Sequence, residues 1–251
     1  MSRAAFEASL RRVLAAWDLA LADAQVELLW RHFERLLEAN RSFNLTRVTD
    51  PAVAACQLFA DSLAAVLWAE QTGRAIKRVA DIGTGAGFPA VPIAVARPDW
   101  AVFALDGTGK KARFVAESAA ALALGNVTAI HSRAEDWKPP QPIDLVLAKA
   151  VGPLADCVSF AAPLSRPGTT LLVYKTPAVS PAEFDAGLRA AASAGFASRA
   201  PLAYGLDAAE GPIHRVLHVF EKCPASSTGQ SVRRRHRRFK RHAPRDDRCA
   251  G

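Results

Sequence analysis

The chain has 251 residues, 50% of them hydrophobic and 22% charged, with a net charge of +8. This composition excludes a wholly disordered chain and suits one sizeable folded body with room for a smaller segment beside it. The charge is uneven: from Cys223 to Gly251 nine Arg and Lys face two Asp, a net of +7 that leaves +1 for the rest, so basicity belongs to the tail.

In chain order, Ala4 to Asp18 carries Phe6, Leu10, Val13, Leu14 and Trp17 at helical spacing. Met1 to Leu21 has no basic start, apolar core and cleavage site in sequence, so it does not read as a signal peptide. A second helix runs to about Ala39 with Asp23 as its cap and Val26, Leu29, Trp30, Phe33, Leu36 and Leu37 on one side. Residues 40–49 form a polar loop. Asp50-Pro51 then opens a helix that reaches about Glu70 and stops at Thr72-Gly73. The expectation is a helical N-terminal cap over residues 1–72, with no apolar run near the ~20 residues that span a bilayer.

From residue 73 the pattern alternates. Strands are predicted at Arg78–Ile82, Ala101–Leu105, Val127–Ile130, Ile143–Ala148 and Thr169–Tyr174, with helices at Val91–Arg97, Lys110–Leu124, Leu154–Leu164 and Pro181–Ala194 between or after them. Ala197–Ala203 and Arg215–Phe220 read as a closing antiparallel pair. The alternation implies an α/β fold: a Rossmann-like, doubly wound sheet, mostly parallel with an antiparallel C-terminal strand, over residues 73–222. Residues 223–251 read as a basic tail, disordered in isolation. Within it, Arg233 to Arg241 carries seven like charges in nine residues, either an RNA-binding arm or a solvated tail.

The chemistry centres on Asp81-Ile-Gly83-Thr-Gly85-Ala-Gly87-Phe88-Pro89, between a predicted strand and a predicted helix. Glycines at alternate positions let the backbone turn sharply and approach a ligand at the carboxyl end of the first strand. The spacing is neither GxGxxG nor GxxxxGK[ST]. An acid directly before the turn is the form used for S-adenosylmethionine, whose cationic end Asp81 suits. Asp106, ending the second strand, is placed to accept from both ribose hydroxyls of an adenosine, or to cap the helix that follows. Arg133-Ala134-Glu135-Asp136 supplies polar groups after the third strand.

Lys149 and, more weakly, Lys175 sit at strand ends where they can meet a base or a phosphate. Asn44 and Asp61 read as pins between cap and sheet, while Trp17, Trp30 and Phe59 read as core. Cys56, Cys157, Cys223 and Cys249 show no CxxC spacing and the six histidines no metal-like partners, so no metal site is expected. The cysteine usage suits a reducing cytoplasm.

Several stretches in order resemble the RsmG (GidB) family of ribosomal RNA methyltransferases: Asn44-Leu45-Thr46, Asp61-Ser62-Leu63, Asp81 to Pro89, Asp106 to Phe114 (DGTGKKARF), Arg133-Ala134-Glu135 and Ala148-Lys149-Ala150. The resemblance spans most of residues 20–220. It implies a class I S-adenosylmethionine-dependent methyltransferase with a helical cap, acting on N7 of a guanine in 16S ribosomal RNA or the small ribosomal subunit. It implies cofactor contacts from Gly83, Phe88, Ala134 and Glu135. These join Asp81, Gly85 and Asp106, and Lys149 at both cofactor and substrate. Gln57-Leu58 stand where the family has Arg-His, and Ala148-Lys149-Ala150 where it has Ser-Arg-Ala. A diverged methyltransferase with another substrate and a non-catalytic RNA-binding paralogue are the alternative readings. A cytoplasmic monomer is expected.

Guanine N7 carries an in-plane lone pair and no proton, so its methylation needs alignment and water exclusion rather than a general base. No catalytic dyad is visible in the sequence, consistent with that demand.

Overall fold

The computed structural model describes residues 2–208 and 211–224; the basic tail expected beyond residue 224 lies outside the described residues. The N-terminal region is helical: α1 (Arg3–Ala16), α2 (Asp23–Asn40), α3 (Pro51–Ala54), a π-helical segment (Ala55–Ala60) and α4 (Ala64–Thr72). The expected Asp50-Pro51 start is present, with Asp50 accepting from the Val53 N–H at 2.9 Å and proline at the first position. Asp23 does not cap α2. It is the first helical residue, and the Ala22 N–H instead donates to the Gln25 side chain at 2.9 Å.

The sequence reading of no bilayer-length apolar run needs correction. Pro51–Thr72 is a 22-residue helical stretch containing an 18-residue window of mean hydropathy 1.6, long and apolar enough by composition, and 78% of that window is buried inside the protein. It is apolar all round because it packs on both sides, as a core helix does.

Among the described residues the sheet has seven strands in the order β3-β2-β1-β4-β5-β7-β6. They are β1 (Arg78–Ile82), β2 (Ala101–Asp106), β3 (Val127–His131), β4 (Leu145–Lys149), β5 (Thr170–Lys175), β6 (Phe196–Ala208) and β7 (Gly211–Lys222). The first five pair in parallel, and β7 runs antiparallel to β5 and β6. The connecting helices are α5 (Ala90–Ala96), α6 (Gly109–Ala121), α7 (Leu154–Ala161) and α8 (Pro181–Ser193). The closing hairpin is longer than its predicted strands, and its register slips between Arg199 and Leu202, which lets Pro201 sit in a strand without donating to the ladder.

One face of the sheet and the helical cap share a single apolar core. Phe6 lies against Trp30, Phe33 and Phe59 with ring centroids 5.0–5.7 Å apart, and the same cluster continues through Val79, Val102 and Leu172 of the sheet. The second core, on the opposite face, joins α7 and α8 to Ala80, Val146 and Leu171. Here the helices come unusually close: a Cβ added to Gly187 would stand 2.7 Å from the Leu154 Cβ. The cap reaches the far end of the sheet as well. The Trp17 indole N–H donates to the Gly205 carbonyl at 3.0 Å, and its ring meets Tyr204 edge-on at 5.6 Å.

Candidate functional site

Register places the site. Asp81 pairs with Ala104 and Leu147, Ile82 with Leu105 and Ala148, Asp106 with His131, and Lys149 with Tyr174. The glycine turn, Asp106 and Lys149 therefore emerge together at the carboxyl edge of a parallel sheet, where such folds bind ligands.

The turn itself is left-handed at Gly83, Gly85 and Gly87 (φ 71°, 60° and 90°), a conformation that disfavours any side chain. It is held from two sides. From β2, Asp106 accepts the Gly85 N–H at 2.9 Å through one carboxylate oxygen and the Thr108 N–H at 2.8 Å through the other. From α2, His32 Nε2 lies 3.0 Å from the Ala86 carbonyl. Asp106 is thus an organiser of the turn rather than the cap of α6, whose preceding residue is Thr108. Each of its oxygens keeps a second lone pair for a ribose hydroxyl.

Asp81 is buried at the root of the turn. Its Oδ2 accepts the Ala90 N–H at 3.2 Å, while Oδ1 is buried with no hydrogen-bond partner among the described residues. Burial pushes its carboxyl up to about 7, against the pull of Thr84, the Ala90 N–H and the nearby Lys149. A carboxyl poised in this way gains by meeting a cation, and its orphaned oxygen fits the ammonium end of S-adenosylmethionine directly or through water. A Cβ on Gly85 would meet nothing nearer than the Gly83 carbonyl oxygen at 3.9 Å, so that side of the turn has room for a ligand. Ala134 is buried and Glu135 exposed in the loop after β3. Phe88, half-buried, sets its ring edge-on to Phe59 at 5.0 Å.

Lys149 is not the free ammonium the sequence suggests. Its Nζ lies 3.1 Å from Asp61 Oδ2 and donates to the Gln57 carbonyl at 3.3 Å, with the two ionic side chains 13% and 5% exposed. Asp61 also accepts the Tyr204 hydroxyl at 2.7 Å, and Arg215 stands 3.9 Å away. The expected role of Asp61 as a pin between cap and sheet is therefore present. Asn44 plays no such part: it is exposed, and Asn40 instead orders that loop by accepting the Leu45 and Thr46 N–H groups at 2.7 and 2.9 Å. Lys175 is engaged by Glu183 and the Gly152 carbonyl. Cys56 and Cys157 are buried, and burial pushes each thiol up to about 11, which leaves them unreactive at neutral pH.

His32, Tyr204 and Arg215 are site-forming residues that the sequence reading passed over. The histidines were weighed only as metal ligands. His32 nevertheless shares a helical face with Leu29 and Leu36, and a polar group on a buried stripe is itself a signal.

The strand order and the left-handed glycine turn after β1 are those of the class I methyltransferase fold. A solved structure described as a putative RNA methyltransferase from Pyrococcus horikoshii has this fold: TM-score 0.50 at 15% identity, covering 71% of this chain and 89% of that one. Residues 25–195 match the family model GidB, rRNA small subunit methyltransferase G. The ribosomal RNA small subunit methyltransferase G of Solibacter usitatus is 39% identical over 172 residues, 68% of this chain and 80% of the relative. That of Leuconostoc citreum is 30% identical over 210 residues, 82% of this chain and 87% of the relative. The chain belongs to the GidB family.

Proposed function

We propose that this protein transfers a methyl group from S-adenosylmethionine to N7 of a guanine in small-subunit ribosomal RNA, with 16S RNA or the small subunit as its partner. The observation that carries the reading is the glycine turn fixed by Asp106 beside the unpaired, buried oxygen of Asp81, in a chain of the GidB family. S-adenosylmethionine supplies an electrophilic methyl group when bound. Asp81, Gly83, Gly85, Phe88, Asp106, Ala134, Glu135 and Lys149 would hold and orient it. The substrate nitrogen brings its own lone pair, so the chain needs to align and desolvate it rather than deprotonate it.

Lys149 enters this reading as a fixed ammonium. Asp61 and the Gln57 carbonyl use two of its three N–H groups, and the third is left for a guanine O6 or a phosphate oxygen. Residues 225–251 add a basic arm for the RNA backbone.

The test is methyl transfer from labelled S-adenosylmethionine to small subunits lacking the modification, followed by digestion and mass spectrometry of the nucleosides. New 7-methylguanosine is expected, lost with Asp106→Ala. Lys149→Ala should transfer on the order of tenfold to a hundredfold more slowly. Absence of methylation with cofactor bound would overturn the RNA target. Removing residues 225–251 should weaken RNA binding and flatten its salt dependence.

A further inference from the structure

Beside the Leu105 carbonyl, which accepts the Thr84 N–H at 2.8 Å, two side chains from outside the glycine turn fix it, and only one of them stands on the sheet. The other, His32, comes from α2 of the helical cap, more than fifty residues earlier in the chain. Its ring sits among Phe59, Phe88 and Phe114, with centroids 6.1, 5.5 and 5.9 Å away, contributed by three separate elements. Its Nε2 meets the Ala86 carbonyl at 3.0 Å. Ala86 lies between two left-handed glycines, so its peptide orientation sets the shape of the turn on both sides. The fit is close: a Cβ on Gly87 would stand 3.4 Å from His32 Nε2 and 2.7 Å from Val91 Cγ2.

The chemistry of the cage sharpens this. His32 is completely buried, and its Nδ1 has no hydrogen-bond partner among the described residues. Burial holds the imidazole down to about 4, with Arg35 acting in the same direction. At neutral pH the ring is uncharged. Its one proton belongs on Nε2, because a carbonyl oxygen only accepts. A phenylalanine would fill an aromatic cage of this kind without burying an unpaired nitrogen. What the histidine adds over a phenylalanine is the bond to Ala86.

We infer that His32 is a positioning residue for the cofactor site, through which the helical cap holds the glycine turn in its ligand-ready shape. The inference rests on the cofactor reading above. It makes the cap part of the cofactor site rather than a cover for substrate alone, since the turn then has one support on β2 and one on α2.

The test compares wild type, His32→Phe and His32→Gln in the full chain. Phenylalanine keeps the shape and removes the donor, and glutamine restores an N–H at similar reach. Amide hydrogen exchange of residues 83–88 is measured without cofactor, and S-adenosylmethionine affinity by calorimetry. For His32→Phe, unchanged or raised thermal stability is expected, with faster exchange in the turn and cofactor affinity weakened roughly fivefold to tenfold. His32→Gln should recover most of that loss, and turnover at saturating cofactor should stay within about twofold of wild type. Wild-type affinity and exchange in His32→Phe would overturn the inference alone. So would failure of His32→Gln to improve on His32→Phe while it folds normally. No cofactor binding by the wild type would overturn the cofactor reading and this inference with it.

Discussion

Asp81 and His32 are both buried at the glycine turn, and they titrate in opposite senses. Asp81 is raised from its ordinary 3.8 to about 7. Between those values the unfolded chain has released a proton that the folded chain still holds, so this residue makes stability fall as pH rises from about 4 to about 7. His32 is lowered from 6.5 to about 4. Over that interval the unfolded chain binds the extra proton, so this residue makes stability rise with pH, and its full contribution is present above 6.5. In the wild type the two slopes largely offset. Asp81→Asn removes one of them: without cofactor it should melt above the wild type at pH 8, with the gap closing toward pH 4. Thermal melts across that range check it, and a gap independent of pH would mean that the carboxyl does not ionise at a raised value. By the same logic, S-adenosylmethionine should bind more tightly as pH rises through 7 and Asp81 becomes anionic. Asp81 and Asp106 were readable because acids flanking a glycine turn have a known use. The other partners of Asp61 were not, because Tyr204 and Arg215 lie more than 140 residues from it and only the closed sheet brings them there.

Among the elements, the strands and the helices alternating with them follow from the sequence, since β-branched and leucine-rich runs ended by Gly, Pro or Asp are hard to read otherwise, whereas the order of the strands in the sheet comes from the structure alone. Two features were hidden. The π-helical segment at Ala55–Ala60 falls in a stretch that is apolar on every side, so a slip of one residue leaves no break in periodicity. The closing hairpin contains Pro201, Gly205 and Asp207, which depress strand propensity; cross-strand pairing with β7 overrides them. The α7–α8 contact makes a sharp prediction at this scale. Gly187→Ala places a methyl group 2.7 Å from Leu154 and should cost about 1–3 kcal/mol in urea unfolding, in a helix where alanine would otherwise be favoured. A stabilising effect would mean that α8 can shift freely.

At the scale of the molecule, the cap is joined to the rest of the fold by a shared core and by several polar ties: His32 to Ala86, Lys149 to Asp61, the Tyr174 hydroxyl to the Ser62 carbonyl at 2.8 Å and Gln25 to the Val95 carbonyl of α5 at 2.7 Å. One consequence concerns solubility. Among the described residues β6 is the last strand of its sheet, and one of its sides has no neighbouring strand there. A bare strand edge is a template for other chains. α1 and Trp17 sit against β6, and the indole N–H occupies the Gly205 carbonyl. The first helix therefore acts as a guard against self-association, independent of anything it does for the reaction. A chain lacking residues 2–22 should form strand-paired aggregates, seen as rising light scattering and thioflavin fluorescence, while Trp17→Phe, which keeps the bulk but loses the donor, should raise both only slightly.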